Sequence, residues 1–311
     1  MRLVEVRLKA RYFFLCLLCL AIVFLSIGRA AAGCQVESRA TVPVRLEDGL
    51  AVVEVTIDGA SVPMILDTGA DRTVLTAAAV ARLRLPPDPW TGTTLRGAGG
   101  RLEGRRNVSP DSIRLGGVAL RRRALSPKLS LPVIAGLGRQ DGLLGDDLLS
   151  LFDLDLDLPG GTLTLFSVRD CNGRFIPWDR PYEAVPIQLG MRSRAMPLVP
   201  VRLDGRPLDA VLDTGASVSF LNLRGMRRMG LTPAMLEQDP AVAAGAVGGM
   251  AATRRHRFAA IAVGAVTLRD PELLVAPVPT PIFDLLLGVD FWRSCRLWIS
   301  YASSQIFVGR M

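Results

Sequence analysis

Two stretches of the chain show the same alternation of apolar and polar residues around an Asp-Gly pair. Residues 53–76 read VEVTIDGASVPMILDTGADRTVLT, and residues 199–222 read VPVRLDGRPLDAVLDTGASVSFLN. Alternation with a period of two predicts half-buried β-strands, and Asp-Gly suits a tight turn with positive φ. Each stretch is therefore predicted to form a β-hairpin whose second strand ends at an Asp-Thr-Gly tripeptide.

The repetition extends along both halves of the chain. A glycine-rich segment follows each hairpin, and GLLGDDLL (142–149) then corresponds to LLLGVDFW (285–292). Each of these motifs precedes an alternating strand, FDLDLDL (152–158) or CRLWISY (295–301). A repeat of this length indicates a duplicated domain rather than a solenoid of short units.

These patterns predict an all-β fold with few short helices, arranged as two homologous lobes. Thr76 and Asn222 are good N-caps for short helices, which we expect to run to about Leu85 and Leu231. The predicted organisation is a signal peptide or membrane anchor at 1–33, an N-terminal lobe at 34–168, a linker at 169–183 and a C-terminal lobe at 184–311.

The first 33 residues have the layout of a secretory signal peptide. Basic residues precede an uncharged run from Tyr12 to Gly28, and alanines at 30–32 offer a small-residue cleavage site. The alternative is an uncleaved anchor, because the run is near the lower limit of length for a membrane span. Only two of the 37 basic residues are lysine, which indicates a GC-rich bacterial genome. We therefore expect an exported protein, either periplasmic or membrane-anchored and facing the periplasm.

The cysteines allow two modifications in an oxidising compartment. Cys34 follows Ala-Ala-Gly, which resembles the lipobox of bacterial lipoproteins, although Ala31 stands where that motif usually has leucine. Lipidation of Cys34 would leave Cys171 and Cys295 as one disulfide pair. The alternative is three unpaired and mostly buried cysteines.

Composition narrows the range of functions. Half of the formal net charge of +8 lies in the first 33 residues, and the basic runs lack interleaved aromatic residues, so no nucleic-acid partner is expected. The single histidine, His256, is predicted to be an ordinary surface residue, which argues against a Ser-His-Asp triad. Because the chain has no cluster at metal-ligand spacing, we expect neither a metal nor a cofactor.

The remaining candidate chemistry is a pair of carboxylates, Asp67 and Asp213. Each ends an apolar strand and precedes Thr-Gly, and burying a single carboxylate there would be costly. If the lobes pack about a pseudo-twofold axis, symmetry brings the two carboxylates together, and they share one proton. One carboxylate can then activate a water molecule while the other protonates a carbonyl oxygen.

The segment MILDTGADRTVL (64–75) resembles the active-site segment of retropepsins, the retroviral-type aspartic peptidases, in the superfamily that includes the pepsins. The Leu-Leu-Gly sequences at 143–145 and 286–288 are similar to the second signature of that family. The resemblance implies two retropepsin-like β-barrel lobes that form a pepsin-like bilobal pseudo-dimer. It also implies that the chain hydrolyses peptide bonds.

The resemblance further implies roles for the residues that match the motifs. Asp67 and Asp213 would be the catalytic dyad, with the threonines bonded across the pseudo-dyad and the glycines leaving room for substrate. The supporting residues would be Thr68, Gly69, Ala70, Thr214, Gly215 and Ala216. The candidate flap tips, which could instead be plain hairpin turns, would be Gly97, Gly99, Gly100, Gly245, Gly248 and Gly249.

Acidic residues outside the dyad are expected to have structural roles. Those that follow the Leu-Leu-Gly motifs are predicted to cap turns or the next short helix: Asp146, Asp147 and Asp290. Those that alternate with leucines in a later strand are predicted to form a solvated face: Asp153, Asp155 and Asp157.

Three functional hypotheses remain open. The first is an exported aspartic endopeptidase, a monomer with an intramolecular pseudo-dimer, which binds a peptide or protein substrate between its lobes. The second is a non-catalytic peptide-binding protein on the same fold. The third is a peptidase that is active only as a homodimer. Membrane attachment through the N-terminus is compatible with each of them.

Overall fold

The structure is a computed structural model that describes residues 33–97, 100–101, 105–120, 129–189, 196–246, 249–279 and 282–310. Residues 1–32 of the predicted signal segment, and Gly99 and Gly248 of the candidate flap tips, lie outside the described residues. Among the described residues, none of the helices combines the length and hydropathy of a membrane span.

The described N-terminal half consists mainly of strands. In chain order the strands are β1 (Gln35–Pro43), β2 (Arg45–Glu47), β3 (Leu50–Ile57), β4 (Ala60–Leu66), β5 (Val74–Thr76), β6 (Pro87–Thr93), β7 (Arg96–Gly97), β8 (Gly100–Arg101), β9 (Arg105–Val108), β10 (Ile113–Leu115), β11 (Val118–Ala119), β12 (Val133–Ile134), β13 (Gly142–Leu144), β14 (Asp153–Asp157) and β15 (Thr162–Arg169). The helices are α1 (Ala77–Leu83) and α2 (Asp146–Leu149).

The described C-terminal half repeats this arrangement. Its strands are β16 (Tyr182–Pro186), β17 (Gln188–Leu189), β18 (Pro197–Leu203), β19 (Arg206–Leu212), β20 (Phe220–Leu221), β21 (Ala241–Ala246), β22 (Gly249–Arg257), β23 (Ala260–Val263), β24 (Val266–Arg269), β25 (Glu272–Val275), β26 (Leu285–Leu287), β27 (Cys295–Ser300) and β28 (Gln305–Arg310). The helices are α3 (Leu223–Met229), α4 (Val289–Trp292) and a 3₁₀ turn at Pro233–Leu236.

The predicted hairpins are present in both halves. β3 pairs with β4, and β18 pairs with β19, each across a two-residue Asp-Gly turn. Asp58 and Gly59 have φ of 47° and 86°, and Asp204 and Gly205 have φ of 48° and 77°. Positive φ at both central residues matches the right-handed twist of the flanking strands, which explains why Asp-Gly occurs in both turns.

Each hairpin belongs to a larger sheet of its own lobe. β4 lies between β3 and β13, and β19 lies between β18 and β26. The pairings β4–β13 and β19–β26 are parallel. Residues 64–66 and 210–212 are buried at every position, as expected for strands that are covered on both faces. This explains why the strand before each Asp-Thr-Gly ends in an unbroken apolar run.

The predicted N-caps are also present. The Thr76 hydroxyl accepts a hydrogen bond from the Ala79 amide at 3.1 Å, and the Asn222 side-chain oxygen accepts one from the Gly225 amide at 3.0 Å. The helices α1 and α3 end two residues earlier than predicted. The caps were predictable because a side-chain oxygen at this position satisfies an amide that has no partner within the helix.

A third sheet joins the lobes. Its strand order is β1-β15-β14-β27-β28-β16, with three strands from each half. The two central strands are antiparallel, with Leu154 opposite Ile299 and Leu156 opposite Leu297. Because equivalent strands pair with each other here, a pseudo-twofold axis relates the halves. One continuous apolar core extends through both lobes.

The prediction of a solvated face is wrong for Asp153 and Asp155, whereas Asp157 is half-buried. Asp153 is 2% exposed and Asp155 is 4% exposed. Asp155 pairs with Arg296 at 2.7 Å and accepts a hydrogen bond from the Trp178 indole at 3.2 Å. Trp298 donates to Asp153 at 3.3 Å. The alternation of Asp and Leu shows only which side chains of β14 share a face. The residues that cover the aspartate face come from β27 and from the linker, which are distant in sequence.

The predicted disulfide partner of Cys171 is also wrong. Cys171 is bonded to Cys34, and Cys295 is buried outside this disulfide. The reason is the pairing of β1 with β15, which places Gln35 opposite Arg169 and so brings the residues beyond them together. A sulfur in a disulfide cannot also carry a lipid, so the structure argues against lipidation of Cys34 as well.

Candidate active site

Asp67 and Asp213 each begin a loop at the end of a central strand. The Asp67 amide donates to the carbonyl of Leu144 at 3.0 Å, and the Asp213 amide donates to that of Leu287 at 2.9 Å. Both acceptors belong to the Leu-Leu-Gly motifs. The parallel neighbours β13 and β26 therefore hold the backbone of the two aspartates at equivalent places in their sheets.

The two threonines fasten the loops to each other. The Thr68 amide donates to the Thr214 hydroxyl at 3.1 Å, and the Thr214 amide donates to the Thr68 hydroxyl at 3.2 Å. Each hydroxyl also donates across the axis, Thr68 to the carbonyl of Leu212 at 2.8 Å and Thr214 to that of Leu66 at 2.6 Å. Both threonines are fully buried, so these reciprocal hydrogen bonds hold the lobes together where solvent cannot replace them.

The glycines that follow the threonines show how close the carboxyl groups are to the opposite loop. A Cβ atom on Gly69 would lie 2.4 Å from Cγ of Asp213, and one on Gly215 would lie 2.2 Å from Cγ of Asp67. No side chain fits at these distances, which is why the motif requires glycine there. Each carboxyl group also shifts the pKa of the other. The structure thus brings together the two aspartates that are 146 residues apart in sequence.

The second motif holds the far end of each loop. A Cβ atom on Gly145 would lie 2.8 Å from the carbonyl oxygen of Ala70, and one on Gly288 would lie 2.7 Å from that of Ala216. This close approach explains why both Leu-Leu-Gly sequences of the chain end in glycine. The Asp147 carboxylate accepts from the amide and the hydroxyl of Thr73, both at 2.7 Å.

The C-terminal loop is held in the same way. The Asp290 carboxylate accepts from the Ser219 amide at 2.9 Å and from its hydroxyl at 2.7 Å. Asp147 and Asp290 therefore fasten the active-site loops. They lie in the first turn of short helices, but the N-caps of these helices are Gly145 and Gly288, so neither aspartate forms the predicted helix cap.

Burial and mutual repulsion perturb the two carboxyl groups unequally. Burial raises the pKa of Asp67 well above its ordinary value, and the neighbouring Asp213 raises it further. Burial also raises the pKa of Asp213, to about 6, but hydrogen bonds from the Gly215 and Ala216 amides oppose that rise. For Asp67, only one backbone hydrogen bond opposes the rise in pKa, the bond from the Gly69 amide at 2.9 Å. Hydrogen bonding therefore favours the ionised form of Asp213 more strongly than that of Asp67.

Comparison with known proteins agrees with this geometry. A sequence profile described as aspartyl protease matches residues 53–148 and 199–291, one match in each lobe. The chain belongs to the aspartyl protease family. An aspartic proteinase from Irpex lacteus shares the fold, with a TM-score of 0.55 and 13% identity over 89% of this chain and 98% of that one. The search of curated proteins found no significant match.

The family match confirms the prediction of a two-lobed, all-β aspartic peptidase. It also accounts for the duplication, since each of the two matched regions contains one of the two Asp-Thr-Gly motifs. In the described part of the protease, no group of three or more His, Cys, Asp or Glu side chains is arranged as a metal site.

The candidate flap tips lie in two hairpins of the protease. Gly97 pairs with Gly100 between β7 and β8, and Gly245 pairs with Met250 between β21 and β22, where Gly249 begins the second strand. The N-terminal hairpin stands apart from its lobe sheet, whereas β22 continues the C-terminal sheet through β25. The two hairpins are therefore less alike than the two active-site loops.

Two further residues depart from their predictions. His256 is half-buried rather than on the surface, because its ring bonds to Asp239 at 2.7 Å and packs against Phe258. Asp146 is fully buried and does not cap helix α2 with its side chain. Its carboxyl oxygen Oδ1 instead accepts a hydrogen bond of 2.6 Å from the hydroxyl of Tyr301.

Sequence reasoning missed the pairing of Asp146 with Tyr301. The signal was present in the alignment of GLLGDDLL with LLLGVDFW, which places Asp146 opposite Val289. A charge in one copy and a valine in the other marks a position where the duplicated halves differ in chemistry.

Proposed function

We propose that this aspartic peptidase is an exported endopeptidase, which hydrolyses peptide bonds with a water molecule activated between Asp67 and Asp213. The observation that carries the proposal is the reciprocal hydrogen bonding of Thr68 and Thr214, which fastens together the two loops that carry the carboxyl groups. Intact Asp-Thr-Gly motifs in both lobes favour a catalytic protein over a peptide-binding one on the same fold.

In this mechanism Asp213 is ionised and Asp67 carries the shared proton. Asp213 takes a proton from the water, whose oxygen bonds to the scissile carbonyl carbon, while Asp67 gives its proton to the carbonyl oxygen. As the C–N bond then breaks, the amine nitrogen takes the proton from Asp213, and a hydroxyl of the intermediate returns a proton to Asp67. The dyad regains its initial protonation without a covalent intermediate.

The substrate would bind in extended form between the lobes. The described strands of the hairpins β7–β8 and β21–β22 offer edges on either lobe, to which a peptide backbone can add as a further strand. We propose these hairpins as the flaps of the protease.

Export is supported by the N-terminal sequence and by the disulfide. The uncharged run from Tyr12 to Gly28 suits a signal peptide or an uncleaved anchor. The bond between Cys34 and Cys171 suits an oxidising compartment such as the periplasm. Because this bond occupies the sulfur of Cys34, any membrane attachment would use the apolar N-terminal segment.

The test is cleavage of a mixed peptide library by the full chain, between about pH 3 and about pH 8. Parent protein is compared with Asp67→Asn and Asp213→Asn, and with Asp170→Asn as a control in an exposed turn. Each dyad variant should lose kcat/KM by about 10³-fold, since general acid–base catalysis is removed. The control should cleave like the parent protein.

The pH profile follows from the order in which the two carboxyls ionise. Activity requires Asp213 to be ionised, so it should fall as the pH drops below about 6, the value to which its pKa is raised. Activity should fall again at higher pH, where Asp67 loses its proton. Residual cleavage by Asp213→Asn would favour a homodimeric site instead, and a folded parent that cleaves nothing would favour peptide binding without hydrolysis.

A further inference from the structure

The buried carboxyl group of Asp146 has no symmetric counterpart in the protease. Asp146 follows the Leu-Leu-Gly motif of the N-terminal lobe and is fully buried. The equivalent residue after the second motif is Val289, which is also buried. Both amides make the same contact, Asp146 with the Ala70 carbonyl and Val289 with the Ala216 carbonyl, each at 2.8 Å. The backbone is therefore repeated, and only the side chains differ.

The partner of Asp146 comes from the other lobe. Tyr301 lies in the turn between β27 and β28, and its hydroxyl donates to Asp146 across 155 residues of sequence. The residue of the N-terminal lobe that occupies the equivalent place after β14 is Leu158. A hydrogen-bonded acid and phenol on one side of the axis thus correspond to a valine and a leucine on the other side.

The second oxygen of Asp146 is the observation that points beyond a structural role. Within the described residues, its Oδ2 atom is buried and has no hydrogen-bond partner. A carboxyl group held only for packing would be replaced by an apolar residue at lower cost, as Val289 illustrates. Asp146 therefore has an unpartnered carboxyl oxygen, and its own amide is bonded to Ala70 of the active-site loop.

The surroundings of Asp146 are mostly acidic. Asp71 lies in the loop of the N-terminal motif, and Asp147 is the next residue in α2. Asp213 of the other lobe interacts with Asp146 electrostatically. Asp67 interacts with Asp146 electrostatically. Like charges in a poorly solvated region cannot all ionise cheaply, so the carboxyl groups lose their protons one after another.

Two other charged or titratable groups lie near this cluster. The backbone of Arg72 in the same loop lies close to Gly145, the residue that precedes Asp146, since a Cβ atom on Gly145 would be 2.6 Å from the carbonyl carbon of Arg72. Asp153 accepts a hydrogen bond at 3.1 Å from Ala302, the residue that follows Tyr301. Burial raises the pKa of the Tyr301 hydroxyl, so it remains a donor.

We propose that Asp146, held by Tyr301 from the opposite lobe, is a positioning residue of the dyad that keeps the proton on Asp67. The kinetic part of this inference rests on the proposed peptidase function. Asp146 does not touch the reacting atoms. It acts through its charge, because its ionisation makes the later loss of the Asp67 proton less favourable.

The first test compares kcat/KM against pH for the full-length parent, Asp146→Asn and Asp71→Asn. Asparagine keeps the size of the side chain and the acceptor for Tyr301, but it cannot ionise. The alkaline limb of Asp146→Asn should move to lower pH by about one unit, while the acid limb stays in place. Asp71 is exposed, so Asp71→Asn should move the alkaline limb less. An unchanged alkaline limb in Asp146→Asn would overturn the proposal.

Tyr301→Phe provides the second variant. Removing the hydroxyl takes away the hydrogen bond that favours the ionised form of Asp146, so Asp146 should ionise at higher pH. The alkaline limb should then move in the same direction as for Asp146→Asn. In the Asp146→Asn background, Tyr301→Phe should produce no further shift. An additive shift would mean that Tyr301 acts on the dyad by another route and would overturn the proposed link.

The third measurement does not depend on activity. The free energy of unfolding is measured by denaturant titration against pH for the parent, Asp146→Asn, Asp67→Asn and the double variant. Because the folded-state pKa of each group is raised, the stability of the parent should fall as pH rises above about 4, the ordinary range of an Asp pKa. Each single variant should flatten that dependence.

The double variant decides whether the two carboxyls are coupled. Its pH dependence should differ from the sum of the single effects, because each charge changes the ionisation of the other. Strict additivity overturns the proposal whether or not the protein cleaves peptides. Non-additivity in a protein that cleaves nothing would support the link between Asp146 and Asp67 and would count only against the peptidase function.

Discussion

The N-terminal and C-terminal lobes present the same active-site loop in different electrostatic surroundings. The loops that carry Asp67 and Asp213 share their threonine contacts and their close glycines. Behind the first loop lies the buried acid Asp146, and behind the second lies Val289. The geometry of the site is therefore symmetric, whereas the charge distribution around it is not.

The difference shows which part of a duplicated site is free to diverge. Two carboxyl groups that share one proton must be equivalent in position but unequal in proton affinity. Repeated backbone contacts supply the first requirement. The second is supplied by residues in the next layer, where a single substitution changes the local charge without moving the loops.

The strongest test of the symmetric part concerns the two glycines that face the opposite carboxyls. Gly69→Ala and Gly215→Ala should each lower kcat/KM by about 100-fold or more, because the new methyl group forces the loops apart. Peptide cleavage by the purified variants measures this. Gly136→Ala is the control, since a Cβ atom there meets nothing within 4 Å. A large loss at only one of the two sites would contradict the equivalence of the loops.

The disulfide between Cys34 and Cys171 allows a test of a feature that breaks the symmetry between the two halves. Cys34 and Cys171 close a segment with a sequence separation of 137 residues, and removing such a bond costs about 2–4 kcal/mol. The double variant Cys34→Ala/Cys171→Ala should lose about this much free energy of unfolding, measured with denaturant. Reductant should lower the stability of the parent by a similar amount and leave the double variant unchanged. Cys295→Ala should keep its response to reductant, and a loss of that response would mean that Cys295 is the true partner.

The smallest expected difference between the lobes lies at the helix N-caps. Thr76→Ala should cost about 1 kcal/mol of unfolding free energy, the usual value of an N-cap. Asn222→Ala should cost about 1 kcal/mol more, because its side-chain amide also donates to the Phe283 carbonyl at 2.8 Å. Asn222→Asp keeps the cap but not this donor, so it isolates the additional term. Equal costs for the two alanine variants would show that the second bond contributes nothing.

The features that could be predicted from sequence are those that depend on residues near one another in the chain. The Asp-Gly turns, the strands around them and the caps at Thr76 and Asn222 follow from backbone preferences and short hydrogen bonds. The dyad could also be predicted, because two copies of one motif imply a symmetric assembly. The repeat therefore made it possible to predict the contact between Asp67 and Asp213, although they are distant in sequence.

The features that the tertiary structure decided depend on contacts between distant segments. Asp155 is buried because its strand pairs with a strand of the other lobe, and the linker places Trp178 against it. Cys171 meets Cys34 because β1 runs beside β15. Asp146 meets Tyr301 across 155 residues. Alternation along a strand shows to which side a side chain points but not which residue lies opposite it. The sequence alone therefore determined the active-site loops and their chemistry, whereas the packing of distant segments determined which residues contact Asp155, Cys171 and Asp146.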